Sequence, residues 1–479
     1  MTTRPSMRRT GDEYFDSKEF SQLIDSYEQA VNTGQPVLMD SDELAEIADY
    51  YQMTNHMEEA EQAIDLALQL SPGAISPLVY KIHEALFNTD PDEAERLLDQ
   101  IIDRSDPDYV YTKGEIMIAR NEVEQATEYF TEETGNVPEE EFNDYIIDVA
   151  NIYQNYDLPQ EALAWLDKAT DQQSQNFREL RGRALHALGH FKEAEAIFTQ
   201  LVDEDPYSKF FWTSLSSAQL MLGNTGDAMT SCEFAIAIDP CFPDAIVIKA
   251  NIYFRNEKYE DALDYYRRYS DIRPKDELVL LQQSYCLINL GHNDEALQVL
   301  CQAEHVAPPQ SPYMADILME KVFIYGEQHD TENAIRNIEK AAKYNVDPSQ
   351  ANLVKGHVLL ASGMIDKAEE AFRQAVLDST DPYHTMLSVI VSTIENDYYK
   401  VAYMLLKQFF DAVPEDFNEG NAYMALCCYH LHYDDEFLDY LEKACQATPE
   451  ECKAALSDLF PANVEPADYY NYVKENMNL

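Results

Sequence analysis

The sequence predicts an all-α solenoid of about twelve tandem antiparallel helix pairs. Three observations predict it. An alanine that follows a short acidic turn recurs at nearly constant spacing. Apolar residues recur at fixed offsets from that alanine. Prolines and glycines fall at further fixed offsets, where helices have to stop.

The alanines are Ala60, Ala94, Ala126, Ala162, Ala194, Ala228, Ala262, Ala296, Ala334, Ala368 and Ala402, in strings such as MEEAEQAI, FKEAEAIF and NDEALQVL. Successive spacings are 34, 32, 36, 32, 34, 34, 34, 38, 34 and 34 residues, and a twelfth unit carries Phe437 in the alanine's place. Self-similarity at such a period marks a repeat architecture, in which each unit packs on its neighbours.

Ahead of the first unit, residues 16–33 read as an amphipathic capping helix through Phe20, Leu23, Ile24, Tyr27 and Val31. Within each unit, a bulky residue stands four after the alanine (Ile64, Phe130, Phe198, Tyr266, Phe372) and another apolar residue seven after it, which puts them on one helical face. Twelve before the alanine a small residue recurs, as in Ala48, Gly114, Gly182, Ser216, Ala250 and Gly356, so two backbones can approach closely. Gly189, Gly223, Gly291 and Gly363 stand five before it and can end the first helix with a positive φ. Prolines twelve after it, among them Pro72, Pro206, Pro240 and Pro274, stop the second helix. Seven of the 14 glycines fall in the two glycine-bearing columns, which fixes the register.

The spacing of 38 arises around HVAPPQSPYMAD, residues 305–316, a candidate bend or sub-domain boundary. The expected organisation is therefore a tail and capping helix over residues 1–40, eight repeats over 41–304, four more over 305–449 after the proline-rich insert, and capping helices over 450–479.

This pattern resembles the tetratricopeptide repeat, whose signature is W-x2-L-G-x2-Y, then A-x3-F, then P. The unit from Lys209 supplies Trp212, Leu215, Ser216, Ala228 and Pro240; the unit from Pro243 supplies Ala250, Tyr253, Ala262, Tyr266 and Pro274. The resemblance covers roughly residues 41–449 and implies a right-handed superhelix whose first helices line a concave groove. It also implies groove positions at the second, fifth, ninth and twelfth residue of each unit. Those positions are polar toward the middle of the chain, with Asn151, Gln154, Glu179, Arg183, His186, Thr213, Asn251 and Phe254. From Leu278 onward they turn apolar: Leu281, Tyr285, Ile288, Met319, Phe323, Leu353, Leu360, Leu387, Val391 and Ile394. Asparagine can donate to and accept from an extended peptide, and the apolar strip suits one face of an amphipathic helix. Some relatives grip a chaperone's terminal carboxylate with lysine at the fifth position beside a ninth-position asparagine. Ile147 and Val247 occupy that place here.

The charge narrows the partner. There are 88 Asp+Glu against 34 Lys+Arg, a net charge of −54, which repels nucleic acid and attracts basic or amphipathic proteins. The 46% apolar content is enough for a core. Eight cysteines, all from residue 232 onward and none in a CxxC, read as buried free thiols of a reducing, cytoplasmic setting. The N-terminal MTTRPSMRRTGDEYF lacks an apolar run after its arginines, so it is not read as a secretory signal, and no 18-residue apolar run is long enough to span a membrane.

No catalytic or metal-binding motif stands out in the sequence. Cys428 and His432, four apart in CCYHLHYDDE, make at most half of a zinc site. There is no HExxH, GxGxxG, GxxxxGK[ST] or GxSxG. No cofactor, metal or catalytic activity is expected. The expected function is a scaffold or adaptor that holds a protein or peptide, without nucleic acid or membrane. The alternative is a structural protein whose apolar strip is filled by its own C-terminal segment or by a second copy in a homodimer.

Overall fold

A computed structural model describes residues 12–15, 17–54, 56–344, 346–414 and 417–476. Among them every regular element is a helix. The chain forms two compact units, one ending at Ala245 and the other beginning at Ile246.

The first unit opens with α1 (Asp12–Phe15) and α2 (Lys18–Thr33). Antiparallel pairs follow: α3 (Ser41–Met53) with α4 (Met57–Leu70), α5 (Ile75–Phe87) with α6 (Pro91–Leu98), α7 (Pro107–Ala119) with α8 (Val123–Glu133), α9 (Phe142–Asn155) with α10 (Pro159–Leu166), α11 (Gln175–Ala187) with α12 (Phe191–Glu204), and α13 (Lys209–Met221) with α14 (Thr225–Ile238). The division between units falls within α15 (Pro243–Arg255), which precedes α16 (Tyr259–Ile272). The second unit continues with α17 (Glu277–Asn289) and α18 (Asn293–Val306), α19 (Met314–Glu327) and α20 (Thr331–Ala341), α21 (Pro348–Ala361) and α22 (Ile365–Asp378), α23 (Pro382–Glu395) and α24 (Tyr399–Ala412), and α25 (Asn421–Leu431) and α26 (Asp434–Ala447). It ends with α27 (Pro449–Leu456) and α28 (Tyr469–Asn476).

Much of the acidic composition serves the helix starts. Seven first helices begin on capping side chains: Asp40 with Glu43 in a reciprocal capping box, then Asp106, Ser174, Ser208, Asp276, Asp347 and Asp381. Each such cap contributes roughly 0.5–2 kcal/mol. Helix ends follow an equally regular rule. The residue five before each column alanine has a left-handed backbone in Gly189, Gly223, Gly291 and Gly363, and also in Thr89, Asn121, Asp157, Glu257, His329, Asp397 and His432. Among the described residues the turn inside a pair is thus one conformation reused, although only four glycines announce it in the sequence.

The eleven column alanines are all fully buried, and Phe437 is buried in the twelfth place. The small and bulky columns meet between the two helices of a pair. A Cβ built on Gly182 would lie 2.9 Å from Phe198, and one on Gly356 would lie 2.4 Å from Phe372. Where the small column is larger the bulky column is smaller: Ile82 shares its core with Leu98, Val322 with Ile338, and Ile390 with Leu406. The volume of Ile82 in the second repeat is matched by a smaller opposing side chain. Successive first helices pack side by side, α3 on α5 through to α11 on α13 in the first unit, and α21 on α23 in the second.

The ends are capped. Phe20 of α2 is buried against Phe15 and Tyr50, whereas Val31, expected on the apolar face, stands exposed. At the other end α28 packs on α26, with Tyr469 stacked on Phe460 at 3.8 Å and Val473 buried. The widened spacing at 305–316 is taken up in the connection between α18 and α19, where Ser311 is buried and donates to Glu277 at 3.2 Å.

Candidate functional site

In the first unit the polar first-helix positions converge. A recess of about 220 Å³ is lined by Gln154 of α9, Arg183 and His186 of α11, and Ser214 and Ser217 of α13, with the Phe198 ring among its walls. His186 shares a hydrogen bond with Ser217 Oγ at 3.0 Å and stands edge-on to Phe191. Burial lowers the pKa of the imidazole, so the neutral ring is favoured, with the Ser217 contact opposing that shift. Glu179, one turn before Arg183, has its carboxyl pushed up by burial and pulled back by the Arg183 charge. Gln154 Oε1 is buried without a hydrogen-bond partner among the described residues. Asn151 is half-buried on the same helix, and Arg183 is exposed. Thr213 is buried, its hydroxyl donating to the Lys209 carbonyl, so it offers little to a ligand. Ser214 and Ser217 escaped the sequence reading, although Ser217 stands at the ninth position of its repeat and the register alone could have found it.

In the second unit the apolar strip divides into covered and open residues. Leu281 is only 2% exposed, packed with Leu280 and Ile317, and does not belong on a binding surface. Leu360, Leu387 and Ile394 are likewise buried. The reason is that side chains of adjacent first helices close over these positions, a packing effect that the period along one helix does not reveal. Tyr285, Ile288, Met319, Leu353 and Val391 remain half-buried, and Phe323, in the middle of α19, is 52% exposed. Asp316 and Glu320, also on α19, lie close enough to Tyr285 to act on its phenol, which is pushed up to about 12 by burial first and by these two carboxylates second. Burial and Asp316 also raise the Glu320 carboxyl. Among the described residues neither acid has a cationic partner. Asn251, expected to face a partner, accepts a 2.6 Å hydrogen bond from Tyr266 Oη and so helps hold the core; Phe254 stands beside it on α15, edge-on to Tyr259.

The candidate zinc pair is not assembled. His432 leaves α25 in the left-handed conformation and is exposed, while Cys428 is buried. Among the described residues no group of three or more His, Cys, Asp and Glu side chains is placed to hold a metal. The cysteines are free; six are buried, but Cys241 and Cys301 are exposed, contrary to the expectation that all are buried. No helix among the described residues is long and apolar enough to cross a membrane.

Comparisons with known proteins follow the same repeats. A family model for the tetratricopeptide repeat matches residues 157–209 and 324–383, and one for anaphase-promoting complex, cyclosome, subunit 3 matches residues 221–303. Anaphase-promoting complex subunit 3 of Schizosaccharomyces pombe is 24% identical over 169 residues, 35% of this chain and 25% of that protein. The chain thus spans about a quarter of the length of this curated relative. Among solved structures, the APC/C hetero-tetramer Cut9-Hcn1 aligns with a TM-score of 0.41 and 16% identity, over 88% of this chain and 82% of its own. A tetratricopeptide repeat protein of Parabacteroides merdae aligns at 0.41 and 15%, over 52% and 97%. YrrB, a tetratricopeptide repeat protein with an unusual peptide-binding site, aligns at 0.35 and 14%, over 40% and 95%.

Proposed function

We propose that this chain, which is built of tetratricopeptide repeats, is a non-catalytic scaffold or adaptor that holds a protein partner on the first-helix face of its second unit. The observation that carries the reading is Phe323, half in water in the middle of α19, with Met319 one turn before it and Tyr285 of α17 half-covered near Asp316 and Glu320. Full burial of a phenylalanine contributes roughly 1.5–3 kcal/mol, so a partner covering this ring would recover about half of that. Contiguous apolar surface of this kind marks interaction sites. The unpaired Asp316 and Glu320 at its margin favour a partner whose apolar face is bordered by lysine or arginine, as does the net charge of −54. An amphipathic helix with a basic edge has that chemistry.

The C-terminal segment gives no support to self-filling, because α28 is engaged on α26. The test is an affinity capture with wild type and with a Tyr285→Glu/Phe323→Glu variant, combined with cross-linking and mass spectrometry. A protein retained by wild type, lost by the variant and cross-linked to α17 or α19 supports the reading. An identical set of captured proteins overturns the choice of surface. A concentration-independent dimer in light scattering that the variant dissolves assigns the strip to a second copy instead.

A further inference from the structure

The proline-rich insert builds a second feature, lined by none of the open strip residues. The connection 307–313, α19, α20 and the residues just after α20 enclose a depression of about 450 Å³. Its floor is apolar: Met314 and Leu318 are 6% and 1% exposed, and Pro309 forms a wall. Its rim carries Lys340, Lys343 and the Tyr344 ring.

The charge here runs against the rest of the molecule. Glu304 is the one acid on the rim, and it is already engaged twice. Its carboxylate accepts Lys321 Nζ at 2.6 Å, from a lysine that is itself buried, and Lys340 Nζ at 2.9 Å. Two ammonium groups therefore share one carboxylate, and Lys343 adds a third positive charge to the rim. Among the described residues the Lys343 side chain has no hydrogen-bond or ion-pair partner, and the Tyr344 hydroxyl has none either. In a chain with 88 acidic and 34 basic residues, an unpaired lysine beside a doubly neutralised glutamate is the reverse of the general surface. Screening confines the repulsion of the distant acids, since exposed charges beyond about 8 Å are largely masked at physiological ionic strength.

We propose that this depression binds a small organic anion with an apolar body: a carboxylate that Lys343, Lys340 and Tyr344 hold at the rim while its hydrocarbon lies over Met314 and Leu318. Pockets that join an apolar floor to a few convergent polar groups are typical of small-ligand sites, and this one divides its lining about equally between the two. Ammonium–carboxylate hydrogen bonds are the stronger kind and would set the orientation. The same chemistry is offered by a free acid and by the terminal carboxylate of a peptide with an apolar last residue. This proposal does not depend on the partner surface described above.

The test is isothermal titration of the full chain with octanoate, octylammonium and acetate, which separate the apolar body from the charge. Octanoate should bind saturably at one site, with octylammonium and acetate at least tenfold weaker. Lys343→Gln, at an exposed position, should keep the helical circular dichroism and weaken octanoate roughly tenfold, whereas Lys192→Gln, an exposed cation of α12, should leave it unchanged. A leucine-ended peptide that competes with octanoate only when its terminus is a free acid would assign the site to chain termini; no competition would assign it to free acids. Equal binding of octanoate and octylammonium, no saturable octanoate binding, or indifference to Lys343→Gln would overturn the proposal.

Discussion

A Cβ placed on Gly114 would lie 2.0 Å from Phe130 Cζ, so the ring of the second helix occupies the volume that any side chain on the first would need. Phe130 is fully buried and edge-on to Tyr153 and Trp165, which leaves it little room to retreat. The same sixteen-residue separation recurs at Gly182 with Phe198 and at Gly356 with Phe372.

Gly114→Ala should therefore destabilise the first unit by roughly 1–3 kcal/mol through overpacking. Phe130→Leu in the Gly114→Ala background should recover part of that loss, so the double-mutant cycle in urea denaturation should show a favourable coupling of at least about 0.5 kcal/mol. Strict additivity would mean that the two residues do not share one space.

Thr89 is exposed and adopts φ +58°, the conformation used by glycine in four other repeats. A left-handed backbone costs a side-chain-bearing residue roughly 1–2 kcal/mol, while glycine gives back up to about 1 kcal/mol through the freedom of its unfolded chain. Thr89→Gly should accordingly raise stability by about 0.5–1 kcal/mol, read as a higher urea midpoint. A lower midpoint would show that Thr89 makes a compensating contribution.

Glu304 ties α18 to α19 and α20. Burial alone would raise its carboxyl, but the hydrogen bonds and charges of Lys321 and Lys340 outweigh it and hold the group below its usual range. A depressed carboxylate stabilises the fold above the unfolded value near 4.3, and that contribution is lost as pH falls through the folded value. Stability of wild type should therefore drop below about pH 4.3, and Glu304→Gln should flatten this part of the profile. At pH 7 the variant should lose about 2–3 kcal/mol, because Lys321 is left buried without its charge partner, discounted for the partial exposure of Glu304. An unchanged urea midpoint at pH 7 would contradict the pairing.

Phe323→Glu should leave the helical circular dichroism and melting temperature nearly unchanged, since the ring is already 52% exposed. Ala262→Leu, at a fully buried column position, should cost roughly 1–3 kcal/mol. Melting of the array by the Phe323 variant would move that residue from surface to core.

The helix pairs were legible in the sequence because their strongest signal, the alanine column, is chemically uniform from Ala60 to Ala402. The turns were legible only where glycine fills them. Threonine at 89, glutamate at 257 and histidine at 329 hold the same backbone, imposed by the packing on either side rather than by their own preference. Ile82 interrupts the small column, and it fits because the smaller Leu98 shares its core. The binding surface was the least legible part. Leu281 and Phe323 are both apolar residues on first helices, yet one is sealed and the other open. That difference is decided by neighbouring repeats, whose approach no single-helix pattern encodes. The depression under the insert was invisible for the same reason, since its lysines and its floor come from separate helices.

The reuse of one left-handed turn inside the pairs has a consequence for where the chain tolerates change in length. The span from the small column through the turn to the alanine is constant, so departures from 34 residues fall after the alanine, at the far end of the second helix or in the link to the next pair. The 3-10 segment Thr134–Asn136 and the connection 307–313 are such places. The turn side of each hairpin is the fixed module, and the far end with its link is the adjustable joint. Insertions, tags or lineage-specific elaborations can enter at the joints without disturbing the modules, and the cavity beneath residues 307–313 shows what such an addition can build.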